Sequence, residues 1–349
     1  MRFTQRAAYI IIVAITGLAP AASTTAAAAS ASSVRGTTHG AKGCITVTAT
    51  IPPVGYQPMG VGVNPKTDTI YVTDSLSTTM VARNVSAISG ATNTVVAQIR
   101  VGRFPVGVAV DPRTNKAYVG NGAGGTVSVI SGKTNTVTAT IPVFPGAVRI
   151  AVNPKTNTVY ASGITRSGPV VSVINGLTNT VTATIVLPPS FEPGGMAVNP
   201  KTDTIYVTNI VHNTVSVISG RTNTVTTTIP VGNFPFGVAV DTHGNTIYVP
   251  NLGSNTVSVI SGRTNTVTTA IPVGNFPVGI AANPKTKTIY VTNSGDNTVS
   301  VINAKTNTVT ATIPVGAQPE GVAADPATKT AYVANFRDGT VSVLAPCPR

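Results

Sequence analysis

PVGIAANPKTKTIYVTN (Pro277–Asn293), followed after three residues by NTVSVINAKTNTVTATIPVG (Asn297–Gly316), is the stretch that decides the fold. It holds four short runs rich in Val, Ile, Thr and Tyr, the composition of β-strands. The connectors are Asn-Pro-Lys-Thr and Asn-Ala-Lys-Thr-Asn, residues that set or tolerate the backbone angles of tight turns. The same text recurs as PVGVAVDPRTNKAYVGN (Pro105–Asn121) and GTVSVISGKTNTVTATIPV (Gly125–Val143). Seven tyrosines mark the copies: Tyr71, Tyr118, Tyr160, Tyr206, Tyr248, Tyr290 and Tyr332, spaced by 47, 42, 46, 42, 42 and 42 residues.

In the copy at 105–143 the expected strands are Gly107–Val110, Ala117–Val119, Thr126–Ile130 and Thr136–Ile141, here called a, b, c and d. Strand a is apolar at consecutive positions, as in a strand covered on both faces. Four strands in about 42 residues with no helical period predict an all-β, seven-bladed β-propeller of four-stranded blades. The last copy ends after its strand c. The missing strand stands at the other end of the chain, where Thr46–Pro52 matches Thr308–Pro314. The N-terminal strand is therefore expected to complete the last blade. In that alignment Cys44 and Cys347 fall at consecutive positions of one turn, which predicts a disulfide closing the ring.

The composition agrees. Of 349 residues only 9% are charged while 42% are hydrophobic, which excludes a disordered, charge-rich chain. Residues 1–22 read as a secretory signal peptide, with Arg2 and Arg6 before an apolar run from Ala7 to Leu18. Residues 23–43 read as a flexible Ala/Ser/Thr-rich leader, and 44–349 as one propeller domain. No other apolar run approaches the length of a membrane-spanning helix. The expected location is secreted or extracytoplasmic, at a bacterial cell surface or in a periplasm.

The motif Tyr-Val-Thr-Asn is intact at Tyr206–Asn209 and Tyr290–Asn293, and Asn-Pro-Lys-Thr turns begin at Asn64, Asn153, Asn199 and Asn283. On these residues the chain from Cys44 onward resembles the YVTN-repeat β-propellers, a group that includes YncE-like periplasmic proteins and archaeal surface-layer proteins. The resemblance implies an extracytoplasmic binding or surface protein. YncE-like members are associated with DNA binding, and related propellers include streptogramin lyases and lactonases. Blade three departs from the pattern with Tyr160-Ala-Ser-Gly, and blade one ends its motif in Asp74.

A meander places the d–a and b–c loops at one end of every blade, the top, and the a–b and c–d turns at the other. Every insertion relative to the 42-residue unit falls on the top, where repeat proteins often carry their binding face. Residues that break the repeat there are the candidate ligand contacts: Arg103, Arg149, Arg166, Glu192, His212, Glu320 and Arg337. Arg149 replaces the glycine found at Gly107 and Gly237, at the top of an innermost strand. Phe104, Phe144, Phe191, Phe234 and Phe276 recur in d–a loops, and such recurrence suits sealing of the seams between blades more than ligand stacking.

The bottom carries about half of the 23 Lys and Arg, among them Lys66, Arg113, Lys133, Lys201, Arg221 and Lys285, in a chain of net charge +13. Such a ring suits an anionic polymer or nucleic acid. Catalytic vocabulary is sparse. There is no HExxH, paired CxxC, P-loop or GxSxG pattern, and no metal or other cofactor is expected. A propeller enzyme of lyase or lactonase type would have to use Glu192, His212 or Glu320. The favoured expectation is a non-enzymatic binding module working through its top loops on a protein, a glycan or a cell-envelope polymer.

Overall fold

A computed structural model describes residues 44–75, 83–146, 149–190 and 192–347. The expected signal peptide and leader lie outside these residues, as do Phe191 and most of the blade-one insertion. Among the described residues there is no helix, and hence none long and apolar enough to cross a membrane.

The strands form seven separate four-stranded antiparallel sheets, each an a-b-c-d meander. Blades one to six span 58–100, 105–142, 150–186, 193–230, 239–272 and 277–314. Blade seven takes strands a to c from 319–346 and its strand d from Ile45–Ile51. That strand pairs antiparallel with Thr340–Pro346, from Ile45 opposite Pro346 to Ile51 opposite Val341. It repeats even the irregularity of the other blades. In blades two to six the c–d pairs are bulged at a Thr, as at Thr310, whose hydroxyl donates to the Val301 carbonyl at 3.1 Å. Thr48 does the same to Val343 at 3.3 Å. The disulfide Cys44–Cys347 then ties the ends, 303 residues apart in sequence, with the Cys347 N–H donating to the Cys44 carbonyl at 3.1 Å.

Strands run one or two residues beyond the expected limits; in blade two they are Pro105–Asp111, Lys116–Asn121, Thr126–Ser131 and Thr136–Pro142. The turns are built as the sequence suggested. Asn115, Asn135 and Asn307 adopt left-handed φ of 53°, 52° and 54°, which Asn tolerates better than most residues.

The core lies between blades. Each apolar cluster joins neighbours, as where Tyr71, Val85 and Ile99 of blade one pack on Ala117, Val119 and Ile130 of blade two. All seven marker tyrosines are buried. Tyr71 and Tyr248 each extend their hydroxyls to the next blade's c–d turn, donating to Asn135 at 3.3 Å and Asn307 at 3.1 Å. The Thr of the Tyr-Val-Thr-Asn motif is a second staple. Thr73, Thr208 and Thr292 accept the N–H of Gly60, Gly195 and Gly279, then donate to the next blade's Val106, Phe236 and Glu320 carbonyls at 2.7–2.8 Å. The repeat is therefore a recipe for the seam between blades as much as for the blade.

Candidate functional site

The innermost a strands meet around a central channel. Where each strand enters from the top stands the sequence position held by Gly60, Gly107, Gly195, Gly237, Gly279 and Gly321 in six blades and by Arg149 in blade three. The residue before it varies among the six described blades: Met59, Gly194, Phe236 and Glu320, with Val106 and Val278 in the other two. These two positions line a cavity of about 190 Å³ at the channel mouth, room for about six waters at ~30 Å³ each.

Two innermost strands start late, and both flank the candidate site. Blade three's begins at Ile150, immediately after Arg149. Blade five's spans only Ala239–Asp241. There Pro250 stands where the motif has Thr and has neither an N–H for the ladder nor a hydroxyl for the staple. The Gly237 N–H instead crosses to the Val278 carbonyl of blade six at 3.1 Å, while the Phe236 N–H donates to the Pro250 carbonyl at 3.0 Å.

Arg149 is fixed through its backbone, which donates to Ser162 Oγ at 3.1 Å. Its guanidinium lies over the Phe236 ring, 4.8 Å from the centroid. Its Nε is buried without a hydrogen-bond partner, and no carboxylate among the described residues lies within 4.0 Å of it. Burial lowers its pKa to about 10, opposed by the fields of Glu320 and Glu192. Glu320 is only 6% exposed, and its carboxyl makes no hydrogen bond among the described residues. Burial pushes its pKa up to about 8, with Arg149 pulling the other way. Glu192, half-buried in the d–a loop of blade four, is raised by burial and lowered less by Arg149. Ring closure thus brings Arg149, Glu192 and Glu320 from blades three, four and seven into one electrostatic unit, with Phe236 of blade five beneath it.

A pH dependence follows. Glu320 binds its proton more tightly folded than unfolded, so its contribution to stability is full below about 4.5, falls as pH rises, and is lost past about 8. Glu320→Gln is expected to match the wild type in thermal unfolding near pH 4.5 and exceed it above pH 8. Equal melting curves at both ends would show that the carboxyl stays ionised and solvated.

The other candidates do not join this unit. Arg103, Arg166 and Arg337 are exposed on separate top loops, with no hydrogen bond from their guanidinium groups among the described residues. His212 is exposed in the b–c loop of blade four, held by its backbone N–H to Asn209 Oδ1 at 3.3 Å. Neither glutamate lies within 4.0 Å of its ring, so the structure forms no His–Glu acid–base pair. Among the described residues no three His, Cys, Asp or Glu are grouped to hold a metal ion.

The loop phenylalanines differ from expectation. Phe144, Phe234 and Phe276 are 36%, 55% and 40% exposed rather than buried in the seams. Phe104, Phe234 and Phe276 take φ of 57°, 52° and 51°, an uncommon conformation for a bulky residue. The Phe234 and Phe276 rings lie over Gly253 and Gly295 of the adjacent b–c loops, where a Cβ would meet them at 2.8 and 2.6 Å. Val, Ile and Tyr of strands b to d fill the seams, leaving the rings as apolar projections on the top face.

By chain trace the architecture is that of many solved propellers. A chain of Kuenenia stuttgartiensis hydrazine synthase superposes with a TM-score of 0.71 over 87% of this chain and 98% of that one, at 18% identity. At that identity the likeness establishes the fold alone. No protein-family model matches the sequence, and no curated protein matches it.

At the bottom, Lys66, Arg113, Lys133, Lys201, Arg221 and Lys285 are exposed at turn tips. Several aspartates among them are engaged by turn or neighbouring-blade N–H groups. Asp111 and Asp325 accept backbone N–H groups, and Asp203 accepts from Asn153. The His243–Asp241 contact at 3.9 Å is the one carboxylate pairing on this face among the described residues, so its Lys and Arg make no direct ion pair there.

Proposed function

We propose that this propeller is an extracytoplasmic, non-enzymatic binding module of the YVTN-repeat type that engages its ligand through the top face, centred on the channel mouth. The observation that carries the reading is the convergence of repeat-breaking residues. Arg149, Phe236, Glu192 and Glu320 come from four blades to one mouth. A charged side chain withdrawn from water without an ion-pair partner is unfavourable for folding. Its presence where six blades hold glycine calls for a role other than stability. The disulfide supports export, because such bonds persist in oxidising compartments.

The exposed Lys and Arg of the bottom, free of direct ion pairs among the described residues, support a second reading, an anionic polymer or nucleic acid bound on that face. One experiment separates the two. The protein is used to capture material from its own cell envelope, beside an Arg149/Arg166/Arg337 triple-alanine variant and a Lys66/Arg113/Lys133/Lys201 quadruple-glutamine variant. Capture lost only in the first supports the top face. Capture lost only in the second, and abolished by salt, moves the function to the bottom, because phosphate-type contacts weaken steeply with ionic strength.

A further inference from the structure

We propose that the channel mouth binds a small monocarboxylate, its carboxylate seated on the Arg149 guanidinium and accepting a hydrogen bond from the Glu320 carboxyl, its apolar tail against Phe236 and Val278. The proposal rests on the top-face reading and names the ligand chemistry of that site.

Two polar groups face one cavity and neither is satisfied. Arg149 has a buried, unpartnered Nε and no carboxylate within 4.0 Å. Glu320 is almost wholly buried and makes no side-chain hydrogen bond among the described residues. The rest of the lining is glycine backbone and apolar side chains, including Met59, Val106 and Met196. An unpartnered Nε shut off from solvent is expensive, and a ligand that pairs with it and with the Glu320 carboxyl gains at both.

The chemistry of the pair narrows the ligand. A planar guanidinium presents two parallel donors that match a carboxylate. A cation would meet the Arg149 charge with no ionised partner close enough to offset it. A neutral sugar needs more polar contacts than two side chains supply. Inorganic phosphate has no apolar end for the Phe236 wall, and any second charge would lie in the field of Glu192. A monoanion with one apolar end fits the single positive charge, the single acid and the Phe236 wall, within about 190 Å³.

The charged groups facing the site are Arg149 and Glu320 in the lining and Glu192 from the loop above. With Glu320 pushed up to about 8, its carboxyl is a donor at neutral pH and a repelling carboxylate above that value. Binding should therefore weaken at alkaline pH, with Glu192 adding a constant unfavourable field once ionised.

Pentanoate is the probe, titrated by calorimetry into the full chain at about pH 6 and about pH 9.5, beside pentylammonium and inorganic phosphate. Saturable binding of pentanoate alone is expected, weaker by about ten-fold or more in Arg149→Gly and in the wild type at the higher pH. Glu320→Gln, whose amide donates at every pH, should retain pentanoate and lose the alkaline weakening. Circular dichroism confirms that both variants are folded. The proposal is overturned if pentanoate does not saturate the wild type at millimolar concentration, if Arg149→Gly binds it equally, or if pentylammonium or phosphate binds as well. Should pentanoate fail while envelope capture still depends on the top-face arginines, the ligand class is wrong and the module reading stands. Binding of pentanoate with no capture at all would leave a small-ligand site and remove the interaction module.

Discussion

Reduction of the Cys44–Cys347 disulfide is expected to lower the denaturant midpoint sharply, by an amount corresponding to several kcal/mol. The bond closes a loop of 303 residues. Chain-entropy arithmetic for that length gives about 5–6 kcal/mol, an upper value, and removal of native disulfides commonly costs about 2–5. The position makes the loss specific. Strand d of blade seven comes from the far end of the chain, so its pairing with Thr340–Pro346 is the only covalently unsupported joint in the ring once the sulfurs part. The seam beneath it, where Ile51 and Val54 pack with Ile70, Tyr332 and Val341, depends on that strand staying in place. Guanidinium unfolding with and without reductant should shift the wild-type midpoint and leave a Cys44→Ser/Cys347→Ser variant at the reduced value in both. Hydrogen exchange should open first at Ile45–Ile51. An unchanged midpoint on reduction would mean that the seam alone locks the ring.

Much of this architecture was legible because it is written repeatedly. The 42-residue period, the turn residues and the match of Thr46–Pro52 to Thr308–Pro314 fix blade number, strand order and the closing pair, including the cysteines that meet there. Each is a local pattern or a register, and both survive without coordinates. The site was legible only as separate anomalies. Arg149, Glu192 and Glu320 stand out from their copies, yet their meeting depends on how blades three, four and seven converge on one axis. Phe236 carries no signal of its own in the sequence beyond its place at the start of a strand a. Its place under the guanidinium depends on how blades three and five face one another across the mouth. Recurrence of the loop phenylalanines suggests sealing of the seams, yet the rings stay largely exposed. Their left-handed backbone turns the rings outward over Gly253 and Gly295, while the seams are already filled by Tyr, Ile and Val.

Gly321→Ala and Arg149→Gly should move stability in opposite directions, although they exchange the same kinds of residue at equivalent positions. A Cβ on Gly321 would stand 2.0 Å from the Met59 carbonyl oxygen of blade one, and on Gly279 2.1 Å from that of Glu320. Both obstacles are backbone of the next blade, held in the ring on either side, so neither can swing away. Relief would require parting two innermost strands, and overpacking of this kind costs about 1–3 kcal/mol or more. Gly321→Ala is expected at or above the top of that range, read as a drop in thermal midpoint. Arg149→Gly restores the residue the other six blades use. It gives up the contact with Phe236, about 1 kcal/mol for a partly desolvated cation on a ring. It also removes a guanidinium whose Nε is buried without a partner. The expected balance is a midpoint equal to or above that of the wild type. That outcome would mean the ring tolerates Arg149 against its own packing preference, as a ligand site requires. If Arg149→Gly instead lost as much stability as Gly321→Ala, the arginine would be a strut of the mouth, and the case for a binding site there would fall with it.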